Sequence, residues 1–276
     1  MEDIEYLKKY YDNKSGTVLE LATGTGRILI PLLKIGIGID GSDNSEEMLR
    51  IVSEKLKLND LKCNLFNLDM TNIKISKKYD NVLIASGSFM NLNYNDAKKC
   101  LYSIKNVLKT DGRILIDLFI PWEDIRIEKT NSFIISSNAV SGNERCIVYE
   151  SFRHSINDQT KYSIYKYEYY KDDVLISTEL NDLNIRWYYE KEIEALLGEV
   201  GYSDMQILRK APDYSKNDRF MIMCKEKGNI CIGLPETERP PDTECDKKKI
   251  PEDSLQCSHQ HRKYDNRLTR CLLSLP

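Results

Sequence analysis

Leu19-Glu20-Leu21-Ala22-Thr23-Gly24-Thr25-Gly26-Arg27 is where a strand pattern gives way to a helix pattern. Before it runs TVLELA (17–22), short and rich in apolar residues. After it runs GRILIPLLKIG (26–36), with Ile28, Leu29, Leu32 and Leu33 at helical spacing. Small residues at alternate positions mark a tight turn, because Gly24 and Gly26 have no Cβ to keep a ligand away from the backbone. The helix that follows aims its first N–H groups, and the positive end of its dipole, at the same spot. Such a turn at the carboxyl end of a strand is the usual crevice of an open α/β sheet.

The neighbouring sequence extends this pattern. IGI (37–39) reads as a second strand. SEEMLRIVSEKL (45–56) reads as a helix opened by Ser45, with Met48, Leu49 and Val52 on one face. CNLFNL, NVLIAS and RILIDLF are further strands, with a helix near 93–109 between the last two. Strands punctuated by helices predict βαβ units and a mostly parallel sheet. SFIISS, RCIVYESF, KYSIYKYEYY and VLISTEL then follow with Asn, Gly and Asp turns between them, which predicts an antiparallel insertion over about 130–188. A helix over 190–201 and the pair MQILRK and RFMIMCKE complete one α/β domain, residues 1–227.

Two nucleotide-binding patterns fail at the glycine turn. A phosphate loop needs a lysine after Gly26, and a dinucleotide turn needs Gly or Ala where Leu29 stands. The turn instead resembles the first motif, E-x-G-x-G-x-G, of class I S-adenosylmethionine-dependent methyltransferases, with Ala22 in place of the first glycine. Gly41-Ser42-Asp43-Asn44-Ser45 is similar to the family's second motif and Asn67-Leu68-Asp69-Met70 to its third. Tyr79–Ile84 and Leu108–Ile116 resemble the fourth and fifth strands. Arg186-Trp187-Tyr188, with the following helix and Gly201, resembles the late helix-and-glycine signature.

The resemblance implies a Rossmann-like, mostly parallel seven-stranded sheet with helices on both faces, and S-adenosyl-L-methionine as cofactor. It places Glu20 near the methionyl ammonium, the backbone of Ala22, Gly24 and Gly26 around the site, Asp43 on the ribose hydroxyls, and Asp69 and Met70 on the adenine. Ser86 joins this set. Each residue also has a plainer reading: Glu20 as a surface acid, Asp43 as a helix cap, Asp69 as a turn residue. Tyr10 and Tyr11 would either cover the methionine end or pack in the core, and Arg27 reads as a surface residue of the helix start.

The implied reaction is in-line methyl transfer to a nitrogen or oxygen of a small-molecule acceptor, driven by positioning. Candidate acceptor-side residues are Ser86-Gly87-Ser88-Phe89, Asn91, Asp117 and Phe119, with the Tyr-rich strand at 162–170 as a further wall. No catalytic residue can be assigned. His154, the one histidine outside the tail, is the sole candidate for a base, and its plainer reading is structural. A non-catalytic cofactor-binding protein and a nucleic-acid methyltransferase are the alternatives. Against the second, Ala-Ser-Gly-Ser (85–88) stands where nucleobase amino-methyltransferases carry [DN]-P-P-[YFW].

Composition agrees with the small-molecule reading. Forty basic against 43 acidic residues give a net charge of −3 over 276 residues, which offers no basic face for nucleic acid. No apolar run reaches the ~18 residues of a membrane span, and the acidic start predicts a cytoplasmic chain without a signal peptide. Eight cysteines include no C-x-x-C pair, so no metal site is expected. Oligomeric state is not legible. After Lys227 the sequence gathers prolines without apolar periodicity, which predicts a disordered tail over 228–276; Cys257, His259 and His261 lack the spacing of a structural zinc site. Truncation after Lys227 is expected to leave the melting temperature unchanged. A loss of several degrees, or of a stoichiometric metal, would make the tail a working module.

Overall fold

A computed structural model of the chain describes residues 2–11, 16–122, 125, 129–130, 132–209 and 218–226. The expectations for 228–276 lie outside the described residues. An N-terminal helix, α1 (Glu2–Tyr11), precedes β1 (Thr17–Leu21), α2 (Leu29–Lys34), β2 (Gly38–Asp43), α3 (Glu46–Leu58) and β3 (Leu65–Asn67). Then come β4 (Tyr79–Ile84), a 3-10 turn (Ser88–Asn91), α4 (Tyr94–Lys105) and β5 (Leu108–Ile120). The insertion is β6 (Ile134–Ser141), β7 (Glu144–Ser155), β8 (Thr160–Lys171) and β9 (Val174–Arg186). The chain closes with α5 (Glu190–Val200), β10 (Tyr202–Arg209) and β11 (Asp218–Glu226).

The main sheet has seven strands in the order β10-β11-β5-β4-β1-β2-β3. β1 to β5 are parallel, and β11 is antiparallel to both β5 and β10. This is the expected seven-stranded, mostly parallel sheet. Strands buried on both faces explain the continuous apolar runs. Val18, Leu83 and Leu115 face a core layer formed with α1, α2 and α3, which includes Leu7, Leu32 and Val52. Leu19, Leu21, Val82, Ile84 and Ile116 face the other side, where α4 and α5 bring Leu101, Ile104, Ile193 and Leu197. Alternation along β1 therefore sends Glu20 to the same side as Val18, toward α1.

The insertion is a separate four-stranded antiparallel meander, β6-β7-β8-β9. Its turns use residues that tolerate positive φ: Gly142 at +61°, then Asp172 and Asp173 at +50° and +60°. Among the described residues no helix is long and apolar enough to cross a membrane.

Several element boundaries differ from the sequence expectation: the helix expected near 93–109 ends at Lys105 and β5 already begins at Leu108, and two further differences have a clear local reason. The helix expected from residue 26 starts at Leu29, because Gly24 and Gly26 hold φ of +55° and +82°. Pro31 is the third helical residue, where the missing N–H has no partner to lose. The short strand expected at 37–39 runs instead to Asp43, through polar residues that apolar patterning does not mark. Asp40 is buried there. Burial pushes its pKa up, but hydrogen bonds from Lys77, Asn64 and Tyr79 more than reverse this and leave it below its usual value.

Asp80 fastens the other end of the parallel strands. Its Oδ2 accepts from Thr17 N at 2.7 Å, Thr17 Oγ1 at 3.0 Å and Lys109 Nζ at 2.8 Å, and these donors hold its pKa down at about 2. The side chain is 37% exposed, so solvent discounts the ion pair. Because the folded pKa lies below the unfolded one, this stabilisation is present above about pH 4 and fades as pH falls toward 2. Asp80→Ala is expected to lose about 1 kcal/mol at pH 7, with the difference from wild type closing near pH 2. Urea unfolding at the two pH values checks this.

Candidate functional site

The site is built where β1, β2 and β4 end. Asp43, the last residue of β2, is the joint. Its Oδ2 accepts from Gly24 N at 2.8 Å and its Oδ1 from Ser45 N at 2.9 Å. One carboxylate thus ties the glycine turn to the start of α3, whose first turn is capped by Ser45 on Met48 N. The same strand end meets β3, since Leu68 N donates to Asp43 O at 3.1 Å. The cap of α3 is Ser45 and not Asp43, which instead holds the N–H of the cap residue and keeps further lone pairs on both oxygens.

The turn between β1 and α2 is left-handed at three positions: Ala22 at φ +55°, Gly24 at +55° and Gly26 at +82°. Alanine adopts this conformation at a cost of about 1–2 kcal/mol, so Ala22 carries strain that a glycine would not. The two glycines differ in what surrounds them. A Cβ at Gly26 would lie 2.5 Å from Val52 Cγ2, so this glycine lets α3 pack against the turn. A Cβ at Gly24 would meet no protein atom within 4 Å. Gly24 faces open space.

Glu20 lies beneath the turn and is 2% exposed. Burial pushes its pKa up to about 8, against the opposing pull of the Thr23 hydroxyl, which donates to Oε2 at 2.6 Å, and of the Arg27 guanidinium. At neutral pH the carboxyl is mostly protonated. The surface-acid reading of Glu20 does not hold. Tyr11, on α1, is buried on the same side and feels the Glu20 charge, and its hydroxyl has no hydrogen-bond partner. Tyr10 packs edge-on against it, with ring centroids 4.8 Å apart. An acid raised toward neutrality beside an unsatisfied phenol is a local deficit of positive charge and of acceptors. The sequence named both residues. Their pairing depends on α1 folding back under the sheet, which no local pattern foretold.

Ser86 closes the opposite side. It follows β4 with φ +60°, ahead of Gly87 at +71°, and its hydroxyl accepts from Arg27 Nη2 at 2.5 Å. A Cβ at Gly87 would come 2.8 Å from Phe119 Cε1, so this Ser-Gly step lets the ends of β4 and β5 approach. Arg27 is exposed, as expected, and bridges the two strand-end turns. Asp69 is exposed, and its Oδ1 accepts from Thr71 N and Oγ1 at 2.7 and 2.8 Å, the geometry of a turn residue. Met70 packs at the edge of the core. Asp117 is buried within β5.

His154 stands apart from this constellation. It lies on β7 with its ring near Phe152 and Trp187, at centroid distances of 5.2 and 6.1 Å. Among the described residues, no group of three or more His, Cys, Asp or Glu is placed to hold a metal ion.

Comparisons with known proteins agree with this geometry. Residues 18–112 match the family model described as a methyltransferase domain. A protein of Geobacillus sp. (strain WCH70) that bears a methyltransferase name is 30% identical over 116 residues, covering 41% of this chain and 46% of that protein. The chain spans about half the length of the curated relatives it matches. Among solved structures, an S-adenosylmethionine-dependent methyltransferase from Clostridium acetobutylicum superposes with a TM-score of 0.66 at 20% identity, over 82% of this chain and 91% of that one. The sugar N-methyltransferase KedS8 from Streptoalloteichus gives 0.62 at 14% identity, over 82% and 87%. At these identities the likeness is one of fold.

The two glycines predict different losses. Gly26→Ala combines backbone strain of about 1–2 kcal/mol with overpacking of about 1–3 kcal/mol. Gly24→Ala incurs only the strain. Urea unfolding should therefore rank Gly26→Ala as clearly the less stable of the two. Equal losses would mean that the space beside Gly24 is not open.

Proposed function

We propose that the chain, whose residues 18–112 match a methyltransferase domain, is a class I S-adenosylmethionine-dependent methyltransferase that moves a methyl group from S-adenosyl-L-methionine to a nitrogen or oxygen of a small-molecule acceptor. The observation that carries the reading is the buried Glu20 and Tyr11 pair beneath a glycine turn whose Gly24 faces open space. These residues fit the cofactor. The methionyl ammonium would restore the Glu20 carboxylate, and the partnerless Tyr11 hydroxyl would gain an acceptor.

In this reading the backbone of Ala22, Gly24 and Gly26 frames the cofactor, and the open space beside Gly24 lets it approach closely, which a side chain there would prevent. Asp43 accepts from the ribose hydroxyls with lone pairs that its two backbone bonds leave over. Asp69 keeps Oδ2 for the adenine amino group, Met70 lines the ring, and Ser86 borders the far side. When bound, the cofactor supplies a methyl carbon on a positively charged sulfur, a good leaving group. The protein's part is alignment and exclusion of water. A neutral amine acceptor attacks with its lone pair and sheds its proton afterwards; a hydroxyl needs a base. His154, held between two aromatic rings, is given no proton step. The names of KedS8 and of the glycopeptide N-methyltransferase MtfA, a neighbour of the same fold, support acceptors of small or modest size.

Glu20 gives the reading a pH signature. Its raised pKa means that binding an ammonium must expel a proton below about pH 8. Affinity for S-adenosylmethionine is expected to rise by up to about tenfold per pH unit between 6 and 8, then fall as an α-amino group deprotonates near 7.7–8.0. Calorimetry in buffers of different ionisation enthalpy should record close to one proton released at pH 6.5, and Glu20→Gln should abolish both the release and the slope. The substitution also removes a group whose raised pKa costs apo stability as pH rises toward 8, so the apo variant should gain stability at pH 8. A flat affinity profile for the wild type would overturn the assignment of Glu20. Asp43→Ala should weaken binding by about tenfold or more, since hydrogen bonds to a charged acceptor are worth about 1.5–3 kcal/mol. Methyl-labelled cofactor incubated with a panel of amines and hydroxyl compounds tests turnover, and tight binding without any labelled product would make the chain a binder only.

A further inference from the structure

A second concavity, of about 500 Å³, lies at the seam where the insertion meets the sheet domain. It shares no residue with the cofactor crevice above, and the structure places Asn91 and Tyr162, acceptor-side candidates by sequence, in this groove instead. One wall is the 3-10 turn and the start of α4, with Asn91 and Tyr94; the other is the β7–β8 turn and the adjoining ends of β8 and β9, with Asn157, Asp158, Tyr162 and Asn184. Arg186 sits in the same lining. We propose that this groove binds a saccharide, independently of the methyl-transfer reading.

The lining carries the choice of ligand. The amides of Asn91, Asn157 and Asn184 make no hydrogen bond within the described protein, and each amide offers both donors and an acceptor. Groups of that kind match hydroxyls, which are also donor and acceptor at once. Asn93, also at the rim, is not free, because its side chain caps α4 on Asp96 N. The two rings supply flat apolar faces for the C–H side of a sugar. Both rings are held in place by cations, Arg153 at 4.2 Å from the Tyr162 ring centre and Arg186 at 5.5 Å from that of Tyr94, and the Tyr94 hydroxyl donates to Glu199 at 3.3 Å.

Charge excludes the competing ligands. Arg186 is the one cation of the lining, and its Nη2 already donates to Glu192 at 2.5 Å. Asp158 opposes it, with Oδ2 accepting from Ser155 at 2.7 Å. A groove with one committed cation and one carboxylate repels neither sign and attracts neither, so phosphates and nucleic acid find no anchor. Leu92 is its one aliphatic residue, too little for an apolar guest.

The test is saturation-transfer NMR on the full chain with methyl glucoside and cellobiose, and with glycerol as the control. Transfer to at least one sugar and not to glycerol is expected, with a dissociation constant near the millimolar range, about 4 kcal/mol of binding. Asn184→Ala, an exposed strand position, and Tyr162→Ala should each weaken it by about fivefold or more, while affinity for S-adenosylmethionine stays at the wild-type value. Urea unfolding identifies a Tyr162→Ala variant that fails to fold, in which case Asn184→Ala decides. Absence of transfer to both sugars would overturn the proposal. So would sugar binding that Asn184→Ala leaves unchanged.

Discussion

Everything at the carboxyl edge of the sheet hangs on one carboxylate with two backbone partners. Asp43 holds Gly24 with one oxygen and Ser45 with the other, and so fixes the glycine turn against the start of α3. Without it the turn, left-handed at three positions, would be left with the Thr23 N to Ser42 O bond at 2.8 Å and the side-chain bonds of Arg27 and Lys55 to define its path. The bond is charge-assisted and partly buried, which makes it stronger than an ordinary backbone contact. The placement also explains why a structural role and a ligand role for Asp43 are not rivals. A carboxylate has about four lone-pair sites, and the scaffold uses two.

The region is expensive to fold. Ala22 and Ser86 hold positive φ at the ends of β1 and β4, and Glu20 is buried with a pKa raised toward neutrality. Positive φ recurs elsewhere at Asp60, Asp111, Gln159, Asp172, Asp173 and Asp204, but five of these six are Asp, which tolerates that conformation, and Gln159, Asp172 and Asp173 lie in hairpin turns. At Ala22 and Ser86 no hairpin demands it, and the strained residues frame one crevice. Strain and an uncompensated acid at one edge of an otherwise apolar, fully packed sheet locate the working end of the molecule. The Asp80 bonds to Thr17 and Lys109 at the opposite edge are plain structural pairings.

Much of this was legible in the chain because the parallel strands are buried on both faces. NVLIAS and RILIDLF announce themselves as continuous apolar runs, and Ser45 with two glutamates behind it announces α3. Legibility failed where polar residues are buried and satisfied. The Asp40-Gly41-Ser42 half of β2 carries no apolar pattern, and its buried Asp40 is satisfied by Lys77, Tyr79 and Asn64, partners that lie far along the chain. The start of α2 was misplaced because helical periodicity runs through Gly26 and Arg27, although their conformation does not. Asp43, Gly24 and Gly26 were identified from motif spacing, yet the sequence could not distinguish the open space at Gly24 from the Val52 contact at Gly26. That difference depends on α3, 26 residues farther along.

The insertion sets a different limit. Its strands are readable from β-branched and aromatic residues, but the pattern says little about which face meets the sheet domain. Register settles it: Glu150, Phe152 and His154 on β7 stand opposite Tyr165, Ser163 and Lys161 on β8. On that inward face the Glu150 carboxylate receives Lys161, Ser163 and Tyr165 together. A buried ion pair of this kind adds little net stability over an apolar pair of the same shape, yet breaking it is costly. It therefore acts as a register lock. A slip of one residue between β7 and β8 would carry Lys161 to the solvent face and leave Glu150 buried without its cation. The groove residues Tyr162 on β8 and Asn184 and Arg186 on β9 take the alternate positions, on the other face of the same strands, so the register that buries Lys161 also presents them together.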